Sequence, residues 1–148
     1  MDTPNGPEWL IASESVTLEG LGFKFVRDVA PGEAIFIGLD GQFQSKLCSE
    51  NATLNPCIFE YVYLARPDTA INGRVVYDAR VEMGRALARE FPVEADLVIP
   101  TPESGTPAAI GFSQESGIPF GHGLVKNAYV GRTFIQPSQT IRQRGIRL

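Results

Sequence analysis

Residues 95–100, ADLVIP, form a short, nearly all-apolar run that passes through a polar loop, TPESG, into TPAAIGFSQESG. A run of this kind without alternation suits a parallel strand buried on both faces, since clean alternation belongs to sheets with one face in water. Thr106 then predicts a helix N-cap, Pro107 the first turn and Gly117 the end of that helix. IPFGHGLV predicts the next strand. Upstream, from Asn72 onward, Val76, Ala79, Met83, Ala86 and Leu87 recur at helical spacing, and Pro92 beyond Phe91 stops the helix. Helix, strand, helix, strand predicts the start of an open, twisted α/β sheet.

The chain before this unit has a different rhythm. WLIASES, FKFVRDV and EAIFIGL are short strand-like runs bounded by turn signals, and Asp40-Gly41 predicts a tight hairpin turn between EAIFIG and QFQSKL, with both central residues at positive φ. Residues up to Cys48 therefore predict an antiparallel sheet fragment. SENATLNP, polar and ending in proline, marks a connection. CIFEYVYLARP fits either strand or helix.

At 148 residues the chain holds one ordinary domain or parts of two. Its hydrophobic share of 43% allows a sizeable core, and 20% charged residues argue against wholesale disorder. A net charge of −4 argues against a nucleic-acid partner, which calls for a basic excess. No apolar run approaches the ~20 residues that cross a bilayer, and MDTPNGPEWL lacks the basic start and apolar stretch of a signal peptide, so the expected address is the cytoplasm without membrane partners. Cys48 and Cys57 are too few for a disulfide framework, and their spacing fits no common zinc pattern. His122 is the only histidine, which excludes a histidine-rich metal site. Arg142, Arg144 and Arg147 near the end predict a solvated or intersubunit helix face.

Two segments concentrate chemistry. In TPESGT a strand ends in a loop that enters a helix N-terminus, where free N–H groups and the positive dipole end suit phosphate. Ser104 and Gly105 allow close backbone approach there, and Glu103 faces a magnesium ion through water in this reading. The same pattern also fits a plain strand-to-helix turn. LVKNAYVGRTFIQP, residues 124–137, gathers Lys126, Tyr129 and Arg132 about Gly131 without helical or strand periodicity. Charge and hydrogen bonds at those positions suit a polyanion, and a solvated surface loop fits the pattern equally.

Taken together, NPCIFEYVYLARPDT, VVYDARVEMG, LVIPTPESGTPAAIGF and GLVKNAYVGRTFIQPSQTIRQ resemble the glutamine phosphoribosylpyrophosphate amidotransferase family, and ASES and FVRDVAPGEAI resemble the last strands of its N-terminal glutaminase domain. The resemblance implies an α+β section followed by an α/β one. Residues 1–48 would end an N-terminal-nucleophile glutaminase sheet, 49–67 would connect, and 68–148 would begin a type I phosphoribosyltransferase domain. It also implies an activity: ammonia freed from glutamine displaces pyrophosphate from phosphoribosyl pyrophosphate, giving 5-phosphoribosylamine, the first committed step of purine biosynthesis. By the same resemblance, Glu103, Ser104 and Gly105 belong to a pyrophosphate loop with Ser104 beside magnesium. Lys126, Tyr129 and Arg132 belong to a loop that closes over the sugar pyrophosphate, and Tyr61 matches the wall of an ammonia channel. Purine nucleotides as feedback ligands and a homo-oligomeric parent follow too. In the cluster-bearing branch of the family a cysteine placed like Cys57 ligates a [4Fe-4S] cluster with three others; for this chain a buried thiol is the expectation.

Two departures shape the expectation for the chain by itself. Asp2 stands where the family's glutaminase has its cysteine nucleophile, and the adjacent acidic pair of the family's phosphoribosyl-binding strand is absent. The chain therefore reads as an internal piece of the enzyme, inactive alone, with another phosphoribosyltransferase or a non-catalytic sugar-phosphate or nucleotide-binding module as alternatives.

Overall fold

The computed structural model describes residues 1–147. Its best-packed region is the crossing of two helices, α2 (Val76–Glu90) and α3 (Thr106–Ser116). Glycine makes the crossing close. A Cβ on Gly84 would overlap the Ala108 carbonyl, and one on Gly111 would overlap the Val81 carbonyl, so main chain meets main chain at both points. Arg89 pairs with Glu115 at 3.1 Å and Arg85 donates to Gln114 at 2.7 Å across the crossing.

This geometry alters the buried face read from the sequence. Val76 and Ala79 are buried as expected, but Met83 and Ala86 are half-buried and Leu87 is exposed; Arg80, Val81, Gly84 and Ala88 complete the buried set. Contact through backbone favours small residues over the large apolar ones that periodicity picks out. Helix α3 begins at Thr106 itself: Gly105 holds the cap position and no side chain caps the helix, while Pro107 sits in the first turn and Gly117, at φ +75°, ends it in the left-handed conformation.

Residues 98 and 120 run parallel on either side of α3, joined by Val98 N–H to Pro119 O at 2.8 Å and Gly121 N–H to Val98 O at 3.0 Å. The predicted strand–helix–strand order is present, but the pairing is one bridge long. Leu97 and Ile99 remain 49% and 46% exposed, which corrects the expectation of burial on both faces. Neither residue gains a second strand as neighbour among those described, so the apolar run lacks the cover that its composition suits.

In the first section β3 (Glu33–Ile37) pairs antiparallel with β4 (Phe43–Leu47), preceded by the two-residue pair β1 (Asp2–Thr3) and β2 (Gly6–Pro7). The turn at Asp40-Gly41 differs from the expected two-residue type. Only Gly41 has positive φ, and its N–H donates to Gly38 O, giving a three-residue loop closed by a left-handed glycine. WLIASES and FKFVRDV are not strands. A short helix, α1 (Ser15–Gly20), lies between them, and both segments instead border a cavity of about 660 Å³ whose apolar wall includes Trp9, Phe23, Phe25, Ile35, Ile37 and Phe43. Among the described residues no backbone–backbone hydrogen bond joins either segment to a strand. Trp9 fixes this wall, donating Nε1–H to Gly41 O at 2.9 Å and stacking 4.8 Å from Phe43. Arg27 grips Glu33 with two hydrogen bonds at 2.6 and 2.8 Å, and with the Ala30 N–H it draws the Glu33 carboxyl down to about 2.

Residues 49–56 have no regular structure. CIFEYVYLARP resolves as helical, with a π-helix at Glu60–Leu64 closed by Ala65 N–H to Glu60 O at 3.1 Å. The strands β5 (Ala70–Ile71) and β6 (Arg74–Val75) turn at Asn72 and Gly73, both at positive φ, and lead into α2. Two side chains at the start of α1 reach this connection: Ser15 Oγ accepts from Ala70 N–H and Glu14 Oε2 from Arg66 N–H, both at 3.1 Å. Helix α4 (Gln139–Arg147) has no buried residue.

The accessible surface is 11107 Å². A compact protein of this mass exposes about 7,400 Å², so the chain carries roughly half as much again. Phe36, Phe91, Val125, Phe134 and Ile146 are all more than 60% exposed. The fold has a small core at α2 and broad apolar faces outside it.

Candidate functional site

The loop at 101–105 is shaped by its own backbone. Gly105 N–H donates to Thr101 O at 3.2 Å and Thr106 N–H to Glu103 O at 3.1 Å, and a Cβ on Gly105 would stand 2.8 Å from Thr101 O, so glycine is required. The Pro102–Glu103 peptide is cis. Ser104 is half-buried at the mouth of α3, and the Glu103 carboxylate projects outward. Among the described residues no acceptor takes the N–H groups of Glu103 or Ser104. Loop 101–105 thus presents a hydroxyl, a carboxylate and free donors at the positive end of a helix.

The second segment, residues 124–137, comes to meet it. Lys126 Nζ lies 3.7 Å from Glu103 Oε2. Asn127 shapes the loop, its Oδ1 accepting from Tyr129 N–H at 2.9 Å and its carbonyl from Val130 N–H at 3.3 Å. Tyr129 is 99% exposed, and a side chain at Gly131 would meet only open space. Arg132 reaches in another direction, its guanidinium carbon 5.9 Å from the centre of the Tyr63 ring. At the far end α4 abuts the loop, where a Cβ on Gly145 would lie 2.6 Å from Thr133 Cγ2. Glu103, Ser104, Gly105 and Lys126 are brought together, Arg132 is joined to the π-helix, and Tyr129 touches neither.

The chain resembles known proteins in sequence and in fold. The amidophosphoribosyltransferase of Mycobacterium tuberculosis (strain ATCC 25618 / H37Rv) is 64% identical over 140 residues, 95% of this chain and 26% of that protein. The chain is an amidophosphoribosyltransferase homologue. A solved structure of the allosteric regulatory enzyme of purine biosynthesis superposes with a TM-score of 0.78 at 45% identity, over 92% of this chain and 29% of that one. The glutamine phosphoribosylpyrophosphate amidotransferase of B. subtilis, solved with ADP and GMP, superposes at 0.77 and 45% identity, over 92% and 30%. The chain spans about a quarter of the length of the curated relatives it matches, and its mixed α/β fold with small sheets is that of part of the amidotransferase. No family model matches the chain.

Two tyrosines of the π-helix divide their work in this amidophosphoribosyltransferase homologue. Tyr61, singled out in the sequence, donates its hydroxyl to Ile71 O at 3.2 Å and its carbonyl accepts from Arg80. Tyr63, half-exposed and not singled out, is the one beneath Arg132. Spacing two residues apart in EYVY gave no means of choosing between them.

The residues present offer few ligands for a metal. Among the described residues no group of three or more histidine, cysteine or acidic side chains gathers. Glu103 and Ser104 would fit magnesium only as outer partners, since one carboxylate and one hydroxyl leave most of its octahedral shell to other oxygens. Cys57 is exposed, contrary to the buried thiol expected, because it ends the irregular stretch from residue 49, whose residues are all exposed. One thiolate does not fit a cluster that needs four, and no step is derived through one. No helix among the described residues is long and apolar enough to cross a membrane.

Proposed function

We propose that this chain is the stretch of an amidophosphoribosyltransferase where the glutaminase section joins the phosphoribosyltransferase section, and that its two loops handle the pyrophosphate end of phosphoribosyl pyrophosphate. The observation that carries the reading is the meeting of loop 101–105 with loop 124–137 at Glu103 and Lys126. Ser104 and the free N–H groups bind pyrophosphate oxygens, and Lys126 and Arg132 add charge-assisted contacts as loop 124–137 closes. Magnesium, when bound with the substrate, draws electron density from the leaving group. Ammonia nitrogen bonds to the sugar's anomeric carbon as the carbon–oxygen bond to pyrophosphate breaks, the electron pair leaves with pyrophosphate, and the nitrogen sheds its extra proton. Closure matters because ammonia protonated in bulk water is no nucleophile, so Tyr61, Tyr63 and Tyr129 serve as walls that keep it dry.

In this reading glutamine is the ammonia donor, purine nucleotides act as feedback ligands, as suits a relative solved with ADP and GMP, and the whole protein is a cytoplasmic homo-oligomer. In the same reading the chain alone catalyses neither half-reaction, since it holds no adjacent acidic pair to grip the ribose. The test is pyrophosphate release from phosphoribosyl pyrophosphate by the full-length protein, with glutamine or ammonia as donor. Turnover with either supports the reading. Binding of the sugar phosphate without turnover marks a non-catalytic module, and a different nitrogen nucleophile as the working substrate marks another phosphoribosyltransferase.

A further inference from the structure

Among the described residues Arg80 is the only cationic side chain that is buried, at 2% exposure, and no carboxylate lies within ion-pair distance of it. A buried cation persists only where hydrogen bonds replace water. Its donors go to main chain. Nε–H reaches Tyr61 O at 2.6 Å and Nη2–H reaches Ala65 O at 2.9 Å, two carbonyls on either side of Tyr63. The desolvated guanidinium has its pKa pulled down, yet arginine stays charged in proteins and both bonds keep their strength. The segment it grips is a π-helix, a wide turn that rarely stands without outside support.

Tyr63 occupies that turn with its ring under Arg132. We infer that Arg80 is a positioning residue for loop 124–137: by clamping the carbonyls that flank Tyr63, it holds the aromatic ring on which Arg132 rests. The placement of the loop is then set from helix α2, which carries none of the residues of loops 101–105 and 124–137. The clamp is drawn from contacts alone, and its kinetic consequence rests on the proposed function.

Hydrogen exchange on the full-length protein tests the clamp without any assay of activity. Arg80→Met keeps the length of the side chain and removes both bonds; exchange should quicken about tenfold in residues 60–65 and also in loop 124–137, and Arg80→Lys should restore the loop in part. Quickening confined to residues 60–65 overturns the inference. Tyr63→Leu guards against a variant that does not fold, since it should free the loop and leave residues 60–65 protected; an unchanged loop in that variant also overturns it. In kinetics, Arg80→Met should lower glutamine-dependent synthesis about tenfold more than ammonia-dependent synthesis, and equal losses with both donors mark a role in folding only. A wild-type protein inactive with both donors rejects the proposed function, and the exchange result still decides the role of Arg80.

Discussion

Lys126 Nζ stands 3.7 Å from Glu103 Oε2, and at that pair loop 101–105 at the mouth of α3 meets loop 124–137. Both side chains are more than half exposed, so the pair holds the loops in register without contributing much stability.

Lys126→Ala should therefore change the melting behaviour of the protein by less than about 1 kcal/mol, while raising the KM for phosphoribosyl pyrophosphate about tenfold. Thermal melts and steady-state kinetics on the full-length protein check the two halves separately. A shift in stability with no change in KM removes Lys126 from the substrate site.

Arg132→Ala should raise the KM for the sugar phosphate and uncouple glutamine hydrolysis from product formation, at a loss on the order of 1.5 to 3 kcal/mol for a charge-assisted contact. The ring contact with Tyr63 is a smaller part, about 0.5 to 1 kcal/mol at an exposed site. A double-mutant cycle with Tyr63→Leu measures that coupling, and strictly additive losses rule the contact out.

Gly84→Ala and Gly111→Ala each push a methyl group into a carbonyl of the opposing helix. Each should destabilise the protein by about 1 to 3 kcal/mol, as overpacking does, seen as a lower denaturant midpoint. An alanine of unchanged midpoint at either position contradicts the close crossing.

Glu33 carries the pH signature. Its folded-state pKa of about 2 lies below the unfolded value of about 4.3, so its link to Arg27 stabilises the fold fully above that unfolded value and is lost as pH falls toward 2. Glu33→Gln should melt below wild type at neutral pH and converge with it on acidification. Parallel melting curves from pH 7 to pH 3 contradict the assignment.

The sequence reading succeeded where a local signal was sufficient. Phe91 and Pro92 end α2, Gly117 ends α3, and the apolar run at 95–100 pairs parallel with the segment after the helix. The hairpin expected at Asp40-Gly41 is present but closes through a three-residue loop with only Gly41 at positive φ, whereas Asn72-Gly73 has both residues at positive φ and makes the two-residue hairpin, on strands too short to stand out. WLIASES and FKFVRDV have strand composition but pair with no strand among the described residues, and pairing is decided by distant chain. Lys126 and Glu103 were each legible as site candidates, but their meeting depends on how two loops return to one end of α3. Arg80 was hidden altogether, because one arginine in a helical stretch carries no sign that it faces carbonyls.

The glycine crossing has a bearing on how such a protein can vary. Arg80 and Gly84 are one helical turn apart, and Gly84 rests on Ala108 within the first turn of α3, just past the loop that ends at Gly105. Between the π-helix and that loop the separation is thus set by peptide groups in contact, with no side chain whose length could adjust it. Substitutions on the outer faces of α2 and α3 leave this spacing untouched. A single added carbon at the crossing is enough to move the two ends of the site apart.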